Sequence, residues 1–289
     1  MRVVFLGTPE AAVPTLRGLV DARHDVALVI TRPDRRRGRG SDLVASPVKS
    51  AALELGLHVG YRLADIDDVE VDIGVVVAYG AIIPSAILAR VPMLNVHFSL
   101  LPRWRGAAPV QRAILAGDEE TGVSIISLEA TLDTGPIHLQ RHASVGEKTA
   151  QGLTKELSEI GAIALLDVLA SPDLLAHSSE QAGEATYAEK LTKETFRLSL
   201  TSVDLFLRTV HLGGAYLFID AKRLGVISAH PSIVHVAEGV VARVDGEVVL
   251  GTRDGTVAIE EVRPEGSRTM SALAWWAGRR GTDQPRTWS

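Results

Sequence analysis

The sequence predicts an α/β protein in two parts: a Rossmann-like, mostly parallel sheet over residues 1–185 and a small all-β domain over 202–289, joined by a linker at 186–201. Three observations carry this. Short Val- and Ile-rich runs alternate with amphipathic stretches through the first part, as βαβ units do. The run SPDLLAHSSEQAGEATYAEK is rich in Ser, Gly and Glu, the composition of a connection. Beyond it, Asp-Gly pairs separate alternating apolar runs, a strong hairpin signal. At 289 residues the chain exceeds the usual single-domain size, and 46% hydrophobic content is ample for a core.

In chain order, RVVFLG forms the first strand and GTPEAA its turn, followed by a helix from Glu10 to Ala22. That turn lacks G-x-G-x-x-G, which argues against a dinucleotide site. DVALVIT is the second strand. A helix runs from Pro47 to Leu55, with Ser46 as N-cap, Pro47 at the first position and Gly56 beyond the end. IGVVVAYG, MLNVHF and VSIISLE supply further strands. Pro109 opens a helix to Ala116 that Gly117 stops, and a last helix spans Ala150 to Leu169. In the second part a helix from Ser202 to His211 precedes short strands, with turns expected at Gly225, Asp245-Gly246 and Asp254-Gly255. A small barrel or sandwich results.

Composition excludes whole classes of chemistry. There is no cysteine, hence no disulfide, thiolate nucleophile or cysteine-based metal centre. HExxH, Walker A and nucleophile-elbow patterns are absent. His138 and His142 are four apart, but IHLQRHASV alternates like a strand, which separates them by about 13 Å, so no metal is expected. The opening apolar run is too short for a signal peptide or membrane span, so a cytoplasmic protein, without a membrane partner, is expected. Net charge is −5, which argues against a generally basic nucleic-acid-binding surface and leaves room for a local patch.

The most informative segment is NVHFSLLPRWRGAAP, residues 95–109. On a strand, Asn95 and His97 share one face about 7 Å apart, Ser99 continues the parity, and Pro102 ends the strand for want of an N–H. Open α/β sheets bind ligands at such carboxyl ends. Alone, a strand Asn is ordinarily a satisfied amide and a lone His a core or surface residue. Asp133 follows in LDTGPI, where it could equally be a turn aspartate before Gly135.

Together these residues resemble the folate-dependent formyltransferases, whose signature is Asn-x-His on a strand, then SLLP, an Arg-Gly-x-x-Pro turn and a later Asp-x-Gly. Here they are Asn95, His97, Ser99 to Pro102, Arg105-Gly106, Pro109 and Asp133 to Gly135. GTPEAAVPTL, TRPD with its Gly-Arg-Gly loop and SPVK, VVVAYG, TYAEKLTKE and RPEGSRTMSA are similar to the members that formylate methionyl-tRNA, and they run nearly end to end. The resemblance implies a formyltransferase fold with a C-terminal OB-like barrel. It also implies 10-formyltetrahydrofolate as donor, methionyl initiator tRNA as acceptor and partner, and no metal; a monomer is expected.

Formyl transfer to an amine passes through a tetrahedral intermediate bearing an oxyanion, while protons leave one nitrogen and reach another. Asn95 can donate to the oxyanion. His97 can shuttle the proton or, if charged, stabilise the oxyanion. Asp133 can orient the imidazole. The order of proton transfer between His97 and Asp133 stays open. For the folate, the resemblance carries over Ser99, Leu100, Leu101 and Pro102, and Val77, Ala78, Tyr79 and Gly80 facing the pterin; Arg105 is expected near the site.

RPDRRRGRGSDLVAS, residues 32–46, holds Arg32, Arg35, Arg36, Arg37 and Arg39. Arg35, Arg36, Arg37 and Arg39 suit phosphate contacts to an RNA end. Where family members carry lysines after Gly-Arg-Gly, Ser41 and Asp42 stand here. From residue 188 onward 13 Lys and Arg face 12 Asp and Glu, an unusually neutral RNA-binding barrel. Three alternatives remain: a formyltransferase acting on a sugar-nucleotide or other small-molecule amine, a folate hydrolase with the same triad, and a nucleic-acid-binding protein with an inert α/β domain.

Overall fold

The structure is a computed structural model describing residues 1–36 and 43–278. By its internal contacts the chain divides into two compact units. The first comprises Met1–Val110, Glu119–Ser144 and Leu153–Lys190; the second takes Gln111–Asp118, Val145–Gly152 and the chain from Leu191 onward.

The first unit is built on one seven-stranded sheet. Its strands are β1 (Arg2–Gly7), β2 (Asp25–Ile30), β3 (Val59–Gly60), β4 (Ile73–Val77), β5 (Met93–His97), β6 (Glu120–Ser127) and β7 (Ile137–Ser144), in the order β7-β6-β5-β4-β1-β2-β3. β1 to β5 pair in parallel, while β6 runs antiparallel to β5 and β7 antiparallel to β6. All five residues of β4 and of β5 are buried, as near-continuous apolar strands of a parallel sheet should be. β2 and β3 lie on one side of β1, and β4 and β5 on the other. The carboxyl ends of β1 and β4 therefore flank a topological switch point, where such sheets bind ligands.

The helices follow their sequence signals. Ser46 caps Pro47–Glu54, its hydroxyl accepting the Lys49 N–H at 3.0 Å. The helix expected from Glu10 instead begins as a 3₁₀ turn, Glu10–Ala12, and becomes α-helical only over Val13–Asp21. Pro14 explains the split: without an N–H it is tolerated only in a first turn. Pro109–Ala116 and Ala150–Ala170 form as expected, and a short helix at Pro172–Ala176 was not anticipated. Tyr187–Ala188, inside the stretch read as linker, pairs in parallel with Arg105–Gly106.

The second unit carries an antiparallel half-barrel of β8 (Tyr216–Ile219), β9 (Lys222–Ser232), β10 (Val241–Val244), β11 (Glu247–Gly251) and β12 (Thr256–Pro264), ordered β8-β9-β12-β11-β10. The helix Val203–His211 packs on it, and Phe206, Val210, Val226, Leu250 and Val257 belong to its buried core. Asp245-Gly246 and Asp254-Gly255 make the expected turns. Gly225 does not: β9 runs straight through it, and the chain reverses at Asp220 and Ala221, with φ of +50° and +59°. Gly225 marks a close approach instead, since a Cβ there would lie 3.2 Å from the Arg263 carbonyl. Among the described residues no helix is long and apolar enough to cross a membrane.

Candidate active site

β5 delivers Asn95 and His97 to one face, and the turn after β6 brings Asp133 against both. All three are buried. The Asn95 amide Nδ2 lies 3.4 Å from Asp133 Oδ1, and His97 Nδ1 lies 3.7 Å from Asp133 Oδ2. The carboxylate is anchored on a third side, where Oδ2 accepts the Gly106 N–H at 2.8 Å. His97 Nε2 sits 2.9 Å from the Trp104 carbonyl. A carbonyl can only accept, so Nε2 carries a proton, and in the neutral ring Nδ1 holds the lone pair. Asn95, His97 and Asp133, which the strand parity and the family resemblance named together, lie within hydrogen-bonding or ion-pairing reach of one another.

Local backbone explains how. Asp133 has φ +53° and Trp104 φ +63°, left-handed conformations that non-glycine residues rarely hold without support. Gly106 has φ +119°, and a Cβ on it would meet the Ala188 carbonyl at 2.8 Å. The Arg103–Gly106 turn is sewn to the later strand by Trp104 N–H on Thr186 Oγ1, Arg105 N–H on the Thr186 carbonyl and Ala107 N–H on the Ala188 carbonyl, at 2.9, 2.9 and 2.8 Å. Gly135 is required because its Cβ would fall 1.8 Å from the Ser127 carbonyl.

The residues named for the folate divide by accessibility. Ser99 has no exposed surface: its hydroxyl donates to the Arg103 carbonyl at 2.6 Å, and its carbonyl accepts from Ser124 at 2.7 Å. Leu101 is buried, and its N–H and carbonyl bond to Ser124 Oγ and Gln140 Nε2. Ser99 and Leu101 thus hold the SLLP turn, whose Leu101–Pro102 peptide is cis, leaving Leu100 and Pro102 half-buried. Val77, the last residue of β4, and Tyr79 just beyond it are buried, while Ala78 (φ +46°) and Gly80 (φ +74°) are exposed. β4 and β5 are neighbours in the sheet, so these two turns leave it side by side. Burial pushes the Tyr79 phenol above its ordinary pKa, with Arg32 opposing. The Arg32 guanidinium donates to the Gly80 carbonyl, and Thr8 Oγ1 to the Tyr79 carbonyl at 3.4 Å.

A model of the formyl transferases matches residues 1–169, which span this entire constellation. The chain belongs to the formyltransferase family. The formyl transferase C-terminal domain matches residues 190–280. Methionyl-tRNA formyltransferase of Jannaschia sp. is 41% identical over 97% of this chain and 97% of its own. That of Thiobacillus denitrificans is 40% identical over 96% and 97%. The crystal structure of HypX from Aquifex aeolicus in complex with tetrahydrofolic acid shares the fold, with a TM-score of 0.66 at 18% identity over 99% of this chain and 50% of that one.

Other residues of this formyltransferase fall as follows. Arg105 donates from Nε and Nη2 to Gln181 Oε1 at 3.0 and 2.6 Å, so its guanidinium is turned to a neighbouring amide. Arg35–Arg36 is a short strand paired with Leu43–Val44, while Arg37 and Arg39 lie outside the described residues. His138 and His142 lie along β7, as the alternation indicated. His138 bonds Ser127 and the Leu174 carbonyl, and His142 pairs with Glu120. Sequence reasoning missed Gln181, Thr186 and the Trp104 carbonyl. The first two sit in a stretch whose composition reads as linker, and a backbone carbonyl has no sequence signature.

Proposed function

We propose that this formyltransferase moves the formyl group of 10-formyltetrahydrofolate to the α-amino group of methionyl initiator tRNA. The observation that carries the reading is the convergence of Asn95, His97 and Asp133 at the carboxyl end of β5, in a chain about 40% identical to methionyl-tRNA formyltransferases over nearly its full length. The folate supplies the formyl group. The exposed Ala78 and Gly80 beside Leu100 and Pro102 fit a flat, partly apolar ring.

Each polar group then has a distinct task. The Asn95 amide points an N–H toward charge developing on the formyl oxygen, a contribution typically worth about 10² to 10³ in rate. With Nε2–H committed to the Trp104 carbonyl, Nδ1 of His97 receives the proton shed by the attacking amine. Asp133 faces that nitrogen across 3.7 Å, beyond a direct hydrogen bond but close enough to favour the imidazolium once it forms. We therefore assign the first proton transfer to His97, with Asp133 as its electrostatic partner.

The test is transfer of labelled formyl from 10-formyltetrahydrofolate to methionyl initiator tRNA, beside methionyl elongator tRNA and the variants His97→Ala and Asn95→Ala. Initiator-dependent transfer is expected, lost in the first variant and about 10²-fold or more slower in the second. Intact folate binding without transfer to either tRNA would overturn the acceptor and direct attention to small-molecule amines.

A further inference from the structure

Gln181 lies 48 residues beyond Asp133, and its single amide holds both ends of the site. Its Nε2 donates to the carbonyls of Asp133 and Gly135 at 2.8 and 2.9 Å. Its Oε1 accepts from Arg105 Nε and Nη2 at 3.0 and 2.6 Å. Arg105 adjoins Gly106, whose N–H binds the Asp133 carboxylate. The contacts close a ring: Asp133 carboxylate, Gly106, Arg105, Gln181, and back to the Asp133 carbonyl. Asp133 holds a left-handed backbone that needs outside support, and Gln181 supplies it through the carbonyls of Asp133 itself and of Gly135. Only an amide fits this place, because the site requires two donors on one side and an acceptor on the other.

We infer that Gln181 is a positioning residue for the formyl-transfer reaction: it fixes the Asp133 carboxylate opposite Asn95 and His97 and ties Arg105 to the same frame. This rests on the proposed function above, and it assigns a role to a residue outside the recognised motif. Glutamate is the decisive substitution. It has the same shape and keeps the acceptor for Arg105, but it replaces both donors with an oxygen facing two carbonyls. Leucine removes both halves without adding charge.

The experiment compares wild type with Gln181→Glu and Gln181→Leu in kcat, KM for each substrate and Tm, together with the ¹H–¹⁵N NMR shift of the Gly106 amide that binds the Asp133 carboxylate, which needs no substrate. Expected is a kcat lowered on the order of 10- to 100-fold, the cost of a small misplacement of a reacting group, with KM for the folate within about twofold and Tm lower by only a few degrees. The Gly106 amide proton moves upfield in Gln181→Leu, because a carboxylate no longer held in place accepts that N–H less well. Three results would overturn the inference: an active wild type whose Glu variant keeps kcat within about twofold, a kcat that falls only in step with Tm in both variants, or a Gly106 amide resonance unmoved in both. A wild type that transfers no formyl group would count against the proposed function, while the Gly106 amide shift would still decide whether Gln181 positions the Asp133 carboxylate.

Discussion

Three of the non-glycine residues with positive φ among those described, Ala78, Trp104 and Asp133, belong to the candidate site. Each such residue costs on the order of 1–3 kcal/mol unless its surroundings over-determine it. Trp104 is held by Thr186 and aims its carbonyl at His97, and Asp133 is held by Gln181 and aims its carboxylate at the same ring. Conformational cost is concentrated where direction matters. Tyr79 shows a burial effect of another kind. Its phenol is shifted above the ordinary 10.0, first by burial and against the pull of Arg32. A raised folded-state pKa means the unfolded chain loses this proton first on the alkaline side. Its stabilising contribution is whole below about pH 10 and drains away as pH climbs through the folded value. Thermal melts between about pH 9 and 11 should therefore fall more steeply for wild type than for Tyr79→Phe; equal slopes would contradict the assignment.

At the scale of elements, the Asp-Thr-Gly turn is the least forgiving piece. Gly135 passes so near the Ser127 carbonyl that a methyl group would fall 1.8 Å from it. Gly135→Ala must push Asp133 away from His97 or part the start of β7 from β6. The expected outcome is a Tm lower by several degrees, as about 2–3 kcal/mol of overpacking would give, and formyl transfer reduced at least 10-fold; a variant with native kcat would refute it. This turn also shows what was readable in sequence. Asn95 and His97 were legible because a strand's two-residue period forces them to one face, and the Ser46-Pro47 start announced its helix through local chemistry. The Gly225 turn was misread because glycine marks either a reversal or a close approach, and only the partner strand tells which. The splinting of Arg105–Gly106 by Tyr187–Ala188 joins residues some 80 apart and leaves no periodic trace.

Over the whole molecule, charge is the property that the site does not explain. The net charge is −5, and the portion after residue 188 is nearly neutral, so affinity for a polyanion would rest on a local patch of cations rather than on overall charge. Of the four arginines expected to contact RNA, Arg35 and Arg36 fall inside the described chain. Removing both should raise KM for methionyl-tRNA and flatten its logarithmic salt dependence by about one unit per arginine, with the folate KM unchanged; a salt slope equal to wild type would place the contacts elsewhere. The short strand at Tyr187–Ala188 carries a lesson about modularity. A chain ending at residue 185 would keep every side chain of the candidate site, yet it would lose Thr186 and the strand that clamps the Arg103–Gly106 turn. A cut placed after Ala188 instead would keep this clamp, so the reach of the site's scaffold is longer than the span of its side chains.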